Sequence, residues 1–228
     1  MTDEDYTRLI VSDTHLGSLH SKEKLLYEFL TNQEFDELIL AGDIIDFIKV
    51  PTFTEYSALL FEFVANLKKP VVYIIGNHDF GFRKFSGKTI NNIKFMETYD
   101  FEYSGRRYRI QHGDQYDGWL VHHRFLMSMI SIVHDLLERK FKFNLAAWWV
   151  NLFKKKHQLK RIWNIIKDWN DDADVFIMGH THTPEAIVWV DKEENIKTYI
   201  NTGDWIENTT YVVIENNEVR LKKYKKNE

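Results

Sequence analysis

The sequence predicts an α/β sandwich with a strand-rich C-terminal part. Three observations predict it. Short apolar runs recur along the chain. The first two connections between them carry helical periodicity. The C-terminal stretch reads as consecutive strands joined by short turns.

The runs are RLIV (8–11), ELILA (37–41), VVYII (71–75), YRIQ (108–111) and VFIM (175–178). Each is short, β-rich and ends at a polar cluster, the signature of a strand. KEKLLYEFLTN (22–32) places Leu25, Leu26, Phe29 and Leu30 on one helical face, and YSALLFEFVANL (56–67) repeats the pattern. Strands alternating with helices suggest βαβ units. AIVWVD (186–191), KTYIN (197–201), TYVVIEN (210–216) and EVRLKKY (218–224) supply the terminal strands. With 228 residues, 44% of them hydrophobic, the chain is sized for a single well-buried domain over 1–228. It has only 3 prolines, no Pro/Gly/Ser-rich linker and no repeat at a fixed period.

Composition narrows the chemistry. The net charge of −4 gives no global case for nucleic-acid binding. There is no cysteine, so disulfides and thiolate metal sites are excluded and any metal must use nitrogen and oxygen ligands. The first residues, MTDEDYTRLIV, lack the basic region and cleavage site of a secretion signal. No apolar stretch reaches the ~18 residues that a spanning helix needs. A cytoplasmic protein is expected.

A polar cluster follows each early strand. These are Asp13-Thr-His15, Gly42-Asp43-Ile-Ile-Asp46, Gly76-Asn77-His78-Asp79, His112-Gly113-Asp114 and Gly179-His180-Thr-His182. In open α/β sheets the carboxyl ends of strands are where ligands bind. Taken singly, each motif is ordinary: a GD is usually a turn, and a lone HxH or DxH is usually no metal site. Together they place five of the ten histidines at the same end of five expected strands. In an extended chain, residues i and i+2 point to one side, so both members of Asp13-x-His15 and of His180-x-His182 are expected to face one point. Imidazole, carboxylate and amide without sulfur suit Mn, Fe or Zn.

These motifs, DTH, GDIID, GNHD, HGD and GHTH over residues 13–182, resemble the ordered set of the calcineurin-like metallophosphoesterases; INTGDW (200–205) resembles the loop that follows. The resemblance implies a metallophosphoesterase-type sandwich of two mixed sheets flanked by helices. It also implies two divalent metals, most often Mn²⁺. Carried over by position, Asp13, His15 and His182 would bind one metal, Asn77, His112 and His180 the other, and Asp43 would bridge them. His78 would act as general acid or charge stabiliser, oriented by Asp79, with Asp46 standing behind the ligands. A water activated between the metals would then hydrolyse a phosphodiester or pyrophosphate.

The connection from His112 to Val175 is too long for a plain loop. Residues 117–170 read as a helical insertion, a lid holding five of the seven tryptophans: Trp119, Trp148, Trp149, Trp163 and Trp169. From Arg139 to Lys167 there are nine Lys/Arg and no acidic residue. Such a surface suits an amphiphilic substrate or an anionic membrane, with peripheral attachment; nucleic acid is disfavoured by the Leu/Ile content and the negative net charge. His122, His123, His134 and His157 read as packing or surface residues. Insertion, GHTHTP and NTGDW together resemble the UDP-2,3-diacylglucosamine pyrophosphatase branch most. That branch usually reads GNRD where this chain has His78. The alternative is a phosphatase or phosphodiesterase on a soluble nucleotide or phosphoprotein, its lid purely structural. A binding module without chemistry is disfavoured, since all seven ligand positions and His78 are filled.

Overall fold

The computed structural model describes residues 6–48, 51–116 and 172–225. The chain divides into two units, residues 1–113 with 172–228, and residues 114–171. Of the second unit only the short 3-10 turn Asp114–Tyr116 is described. The expected helical lid over 117–170, its tryptophans and its basic run lie outside the described residues.

The first unit is built on two mixed sheets. Strands β1 (Arg8–Val11), β2 (Glu37–Ala41), β3 (Val71–Ile74) and β5 (Ile93–Met96) run parallel. β4 (Thr89–Ile90) joins β5 antiparallel, while β11 (Thr210–Glu215) and β12 (Glu218–Lys223) extend the other edge antiparallel, giving the order β12-β11-β1-β2-β3-β5-β4. The second sheet has the order β6-β7-β8-β10-β9, from β6 (Thr98–Tyr103), β7 (Arg106–Gln111), β8 (Val175–Met178), β9 (Glu185–Val190) and β10 (Ile196–Asn201). Its central strands β7, β8 and β10 are parallel.

Strand alternation explains the layers. Leu9 and Val11 of β1, Leu38 and Leu40 of β2, and Val71 and Tyr73 of β3 face one core, shared with Leu26, Phe29 and Leu30 of α1 (Glu23–Thr31) and Leu60 of α2 (Glu55–Asn66). Their neighbours Ile10, Ile39, Ala41, Val72 and Ile74 face the other core, with Ile110, Val175, Ile177 and Ile200 of the second sheet. The first sheet is therefore covered on both faces, so β3 is apolar throughout and β2 is apolar after Glu37. α2 starts where Thr54 caps it: its hydroxyl accepts from the N–H of Tyr56 at 3.1 Å, and the Ser57 hydroxyl accepts from the Thr54 N–H at 3.0 Å.

The expected elements all appear within a residue or two where they are described. The segment 89–103 was not expected to be sheet. It forms β4, β5 and β6, whose polar and half-exposed residues hide the strand pattern. β4 and β6 are edge strands, which need less apolar surface to form.

Candidate metal centre

The parallel strands end together. Val11 of β1 pairs Leu40 of β2, and Ala41 pairs Ile74 of β3. In the second sheet Ile110 of β7 pairs Ile177 of β8, and Met178 pairs Asn201 of β10. The residues just beyond these ends are the motif residues.

Three overlapping groups of side chains offer ligand atoms that lie within 4.8 Å of one another: Asp13, His15 and His182; Asp43, His112 and His180; and His15, Asp43 and His78. The structure thus brings together Asp13, His15, Asp43, His78, His112, His180 and His182. Asn77 joins them, its Oδ1 3.2 Å from His112 Nε2. Asp13, His15, Asp43 and His112 are buried.

The expected cause of convergence needs correction. The i, i+2 pairs do not lie in extended chain. Asp13, His15, Asp43, His180 and His182 all have positive φ, from 46° to 66°. This left-handed region is costly for non-glycine residues and is concentrated at functional sites. The turns let Asp13 and His15 enter the same group, whereas His180 and His182 part into different ones. Backbone bonds hold the turns: the Asp13 N–H donates to Gly42 O at 3.0 Å, and the His15 N–H donates to Asp43 O at 3.0 Å. The His180 N–H donates to the Asp13 carboxylate at 3.0 Å. Gly42, at φ 88°, is required by sterics as well, because a Cβ there would run into the His112 ring.

Local partners aim the ligand atoms. His112 Nδ1 faces Ala41 O at 3.2 Å, which leaves Nε2 directed at Asp43 Oδ2, 3.1 Å away. His182 Nε2 lies 3.4 Å from Asp13 Oδ1 and 3.3 Å from His15 Nε2. Burial, reinforced by the neighbouring His78, pushes the His15 imidazole well below its ordinary pKa, so it is held neutral as a ligand must be. Burial opposes charge on Asp43, but His112 and His78 outweigh it and hold the carboxyl well below the usual range. Two buried carboxylates ringed by imidazoles and one amide, with no sulfur, form a donor set that fits divalent cations.

His78 sits at the rim of this group, its Nε2 3.8 Å from Asp43 Oδ2. Its partner is not the expected one. His78 Nδ1 lies 2.9 Å from Asp46 Oδ1. Asp79 points elsewhere, accepting from the N–H groups of Ile45 at 2.9 Å and Ile44 at 3.2 Å and from the Tyr73 hydroxyl at 2.8 Å. It braces the Asp43 loop from beneath. Burial and the Asp43 charge push its carboxyl up to about 6. Burial works against a charged His78, yet Asp43 and Asp46 raise its pKa above the ordinary value.

One residue went unassigned in the sequence. Asp204, buried in the NTGDW loop after β10, places Oδ2 3.5 Å from His182 Nδ1. Its carboxyl is held below the usual range: burial acts upward, but His182 and the N–H groups of Asn208 and Glu207 prevail. The available signal was an acidic residue just past a sixth strand end.

The family model described as calcineurin-like phosphoesterase matches residues 6–184. The chain belongs to the calcineurin-like phosphoesterase family. It is accordingly a hydrolase of phosphoester or pyrophosphate bonds, in a family that uses divalent metals. A similar protein is the UDP-2,3-diacylglucosamine hydrolase of Psychromonas ingrahamii, 23% identical over 93% of this chain and 95% of that one. Similar solved structures include an archaeal phosphodiesterase, with 16% identity, TM-score 0.45 and coverage of 95% of this chain and 98% of that one. Vps29 of Chaetomium thermophilum is another, with 10% identity, TM-score 0.49 and coverage of 92% and 80%. Among the described residues no helix is long and apolar enough to cross a membrane.

Proposed function

We propose that this phosphoesterase cleaves a phosphodiester or pyrophosphate bond at a two-metal centre. Asp13, His15 and His182 hold one cation, and Asn77, His112 and His180 hold the other. Asp43 serves both. The observation that carries this reading is the position of Asp43, which groups with His112 and His180 on one side and with His15 and His78 on the other. When bound, two divalent cations supply Lewis acidity and lower the pKa of a water.

The chain's own residues do the rest. Asp43 and Asp13 compensate cationic charge, while the neutral Asn77 ligates without cancelling the positive field that a phosphate needs. His78 presents Nε2 at the edge of the centre, with Nδ1 held by Asp46, so that its ring can donate to a phosphoryl oxygen or to the leaving group. Asp79 acts through the backbone: it fixes the Ile44–Ile45 turn and with it Asp43.

For substrate, an amphiphilic nucleotide pyrophosphate such as UDP-2,3-diacylglucosamine fits the tryptophan-rich basic sequence of residues 117–170 and the similarity to the Psychromonas protein over nearly the whole chain. Mn²⁺ is the metal proposed. The location proposed is the cytoplasm, peripheral at an anionic membrane. A second reading, a soluble nucleotide or phosphoprotein substrate, is favoured by His78, which stands where the diacylglucosamine branch carries arginine.

The deciding experiment is UMP release from UDP-2,3-diacylglucosamine by Mn²⁺-loaded protein, run beside bis-p-nitrophenyl phosphate. UMP release is expected. Cleavage of the nitrophenyl diester alone would keep the two-metal site and reject the lipid nucleotide. Binding to anionic vesicles, weakened by Lys154→Glu, Lys155→Glu and Lys156→Glu together, tests the membrane reading.

A further inference from the structure

The loop after β10 reaches the site at two of the proposed ligands. The Trp205 N–H donates to Asp13 O at 3.1 Å, and Asn208 Nδ2 donates to His182 O at 2.9 Å. Just before both residues in the chain lies Asp204, 2% exposed. Its two carboxylate oxygens have different tasks. Oδ1 accepts the N–H groups of Ile206 at 3.0 Å, Glu207 at 2.7 Å and Asn208 at 2.9 Å. Those three bonds lock the carboxylate in one orientation. Oδ2 then has Asn208 Nδ2 at 3.0 Å and faces His182 Nδ1 at 3.5 Å.

The consequence lies on the far side of the imidazole. His182 Nε2 is the atom directed at Asp13 and His15. A neutral imidazole carries one N–H, and only the bare nitrogen can ligate. Asp13 Oδ1 also faces Nε2, at 3.4 Å. With a cation on that side Asp13 and Nε2 would both turn to it, the ring proton is left to Nδ1, and Asp204 is the carboxylate placed to accept it there. The restraint is also mechanical. His182 has φ 58° and lies on a turn, not on a strand, so its backbone alone does not set the ring. One other histidine of the centre has a partner at Nδ1: His112, with Ala41 O at 3.2 Å.

We propose that Asp204 is the positioning residue of His182, accepting its Nδ1–H when a cation is bound at Nε2 and thereby setting the affinity of the Asp13, His15 and His182 site. The proposal rests on the two-metal reading given above. A loop brace would need only the bonds to Ile206, Glu207 and Asn208 and would leave the metal affinity unchanged.

Two measurements test it. The first is histidine-¹⁵N NMR of the Zn²⁺-loaded wild-type chain, with His182 assigned by loss of its signals in His182→Gln. The expected result is an Nδ1–H protected from solvent exchange; an Nδ1–H that exchanges freely overturns the proposal. The second is Mn²⁺ titration by calorimetry of wild type, Asp204→Asn and Glu207→Gln, the last an exposed side chain of the same loop. Asp204→Asn keeps an acceptor for the three N–H groups but puts an amide where His182 needs an acceptor. One of two Mn²⁺ equivalents should weaken by about 10–100-fold in Asp204→Asn, while Glu207→Gln keeps both. Two equivalents at wild-type affinity in folded Asp204→Asn, or equal weakening by Glu207→Gln, overturn the proposal. Should Asp204→Asn fail to fold, the protection of the wild-type Nδ1–H decides. A wild-type chain that takes up fewer than two equivalents overturns the two-metal reading instead, and the Nδ1–H of the chain with one cation bound still judges Asp204.

Discussion

His78 and Asp46 form the imidazole–carboxylate pair at the rim of the centre, with Nδ1 2.9 Å from Oδ1, although Asp79 is the adjacent residue in the chain. The two aspartates should therefore behave differently. Asp46→Asn should lower kcat with bound metal and Tm retained, because it loosens the His78 ring at the rim of the centre. Asp79→Ala leaves the buried Ile44 and Ile45 N–H groups and the Tyr73 hydroxyl without their acceptor, at a cost of about 1–3 kcal/mol for each buried group left unpaired. Its first symptom should be a lower Tm. Thermal melts and metal analysis of both variants, alongside kcat and KM, check this; identical profiles would contradict the division of roles.

His180 stands in the group with Asp43 and His112. His180→Ala should lose both tightly bound metal and turnover, the latter by at least ~100-fold, on the scale of losing a metal-bound ligand. Metal content by elemental analysis and hydrolysis of bis-p-nitrophenyl phosphate are the readouts. Full activity at normal metal content would remove His180 from the centre.

Metal removal should be reversible. Chelation should abolish hydrolysis, and added Mn²⁺ should restore it. It should also lower Tm, since saturating a site at about 100 times its Kd stabilises by about 2.7 kcal/mol. A melting curve insensitive to chelator would speak against a resident cation.

Gly42→Ala tests the backbone at the centre. It adds a Cβ against the His112 ring at φ 88°. The left-handed conformation alone costs about 1–2 kcal/mol for a residue with a side chain, and the displaced His112 should weaken metal binding. Reduced Tm together with reduced metal affinity is expected.

Asp174 gives a pH dependence remote from the centre. Burial acts to raise its pKa, but the Arg107 N–H at 2.9 Å and the Lys197 ammonium at 3.1 Å outweigh it, so the folded pKa lies below the unfolded value. Its stabilisation is thus present above the unfolded aspartate pKa and is lost as pH falls through the folded one. Asp174→Asn should lower Tm at neutral pH, and the difference from wild type should shrink in acid. A constant difference across that range would show that the pair contributes no pH-dependent stability.

Much of this chain is written locally. β3 and, after Glu37, β2 are legible because strands covered on both faces must be apolar throughout. The motif residues after β1, β2, β3, β7 and β8 are legible because strand ends and ligand-type side chains are adjacent in the chain. β4 to β6 were not, since their half-exposed residues carry no apolar period. Which side chains meet was legible only in part. The resemblance already put His180 and His182 in different groups, as found, but Asp46 rather than Asp79 reaches His78, and Asp204 arrives from the loop after β10. The reason is that composition and period set which element forms, whereas a side chain's direction depends on φ and ψ. At Asp13, His15, Asp43, His180 and His182 the backbone takes the left-handed values that tertiary contacts impose against local preference.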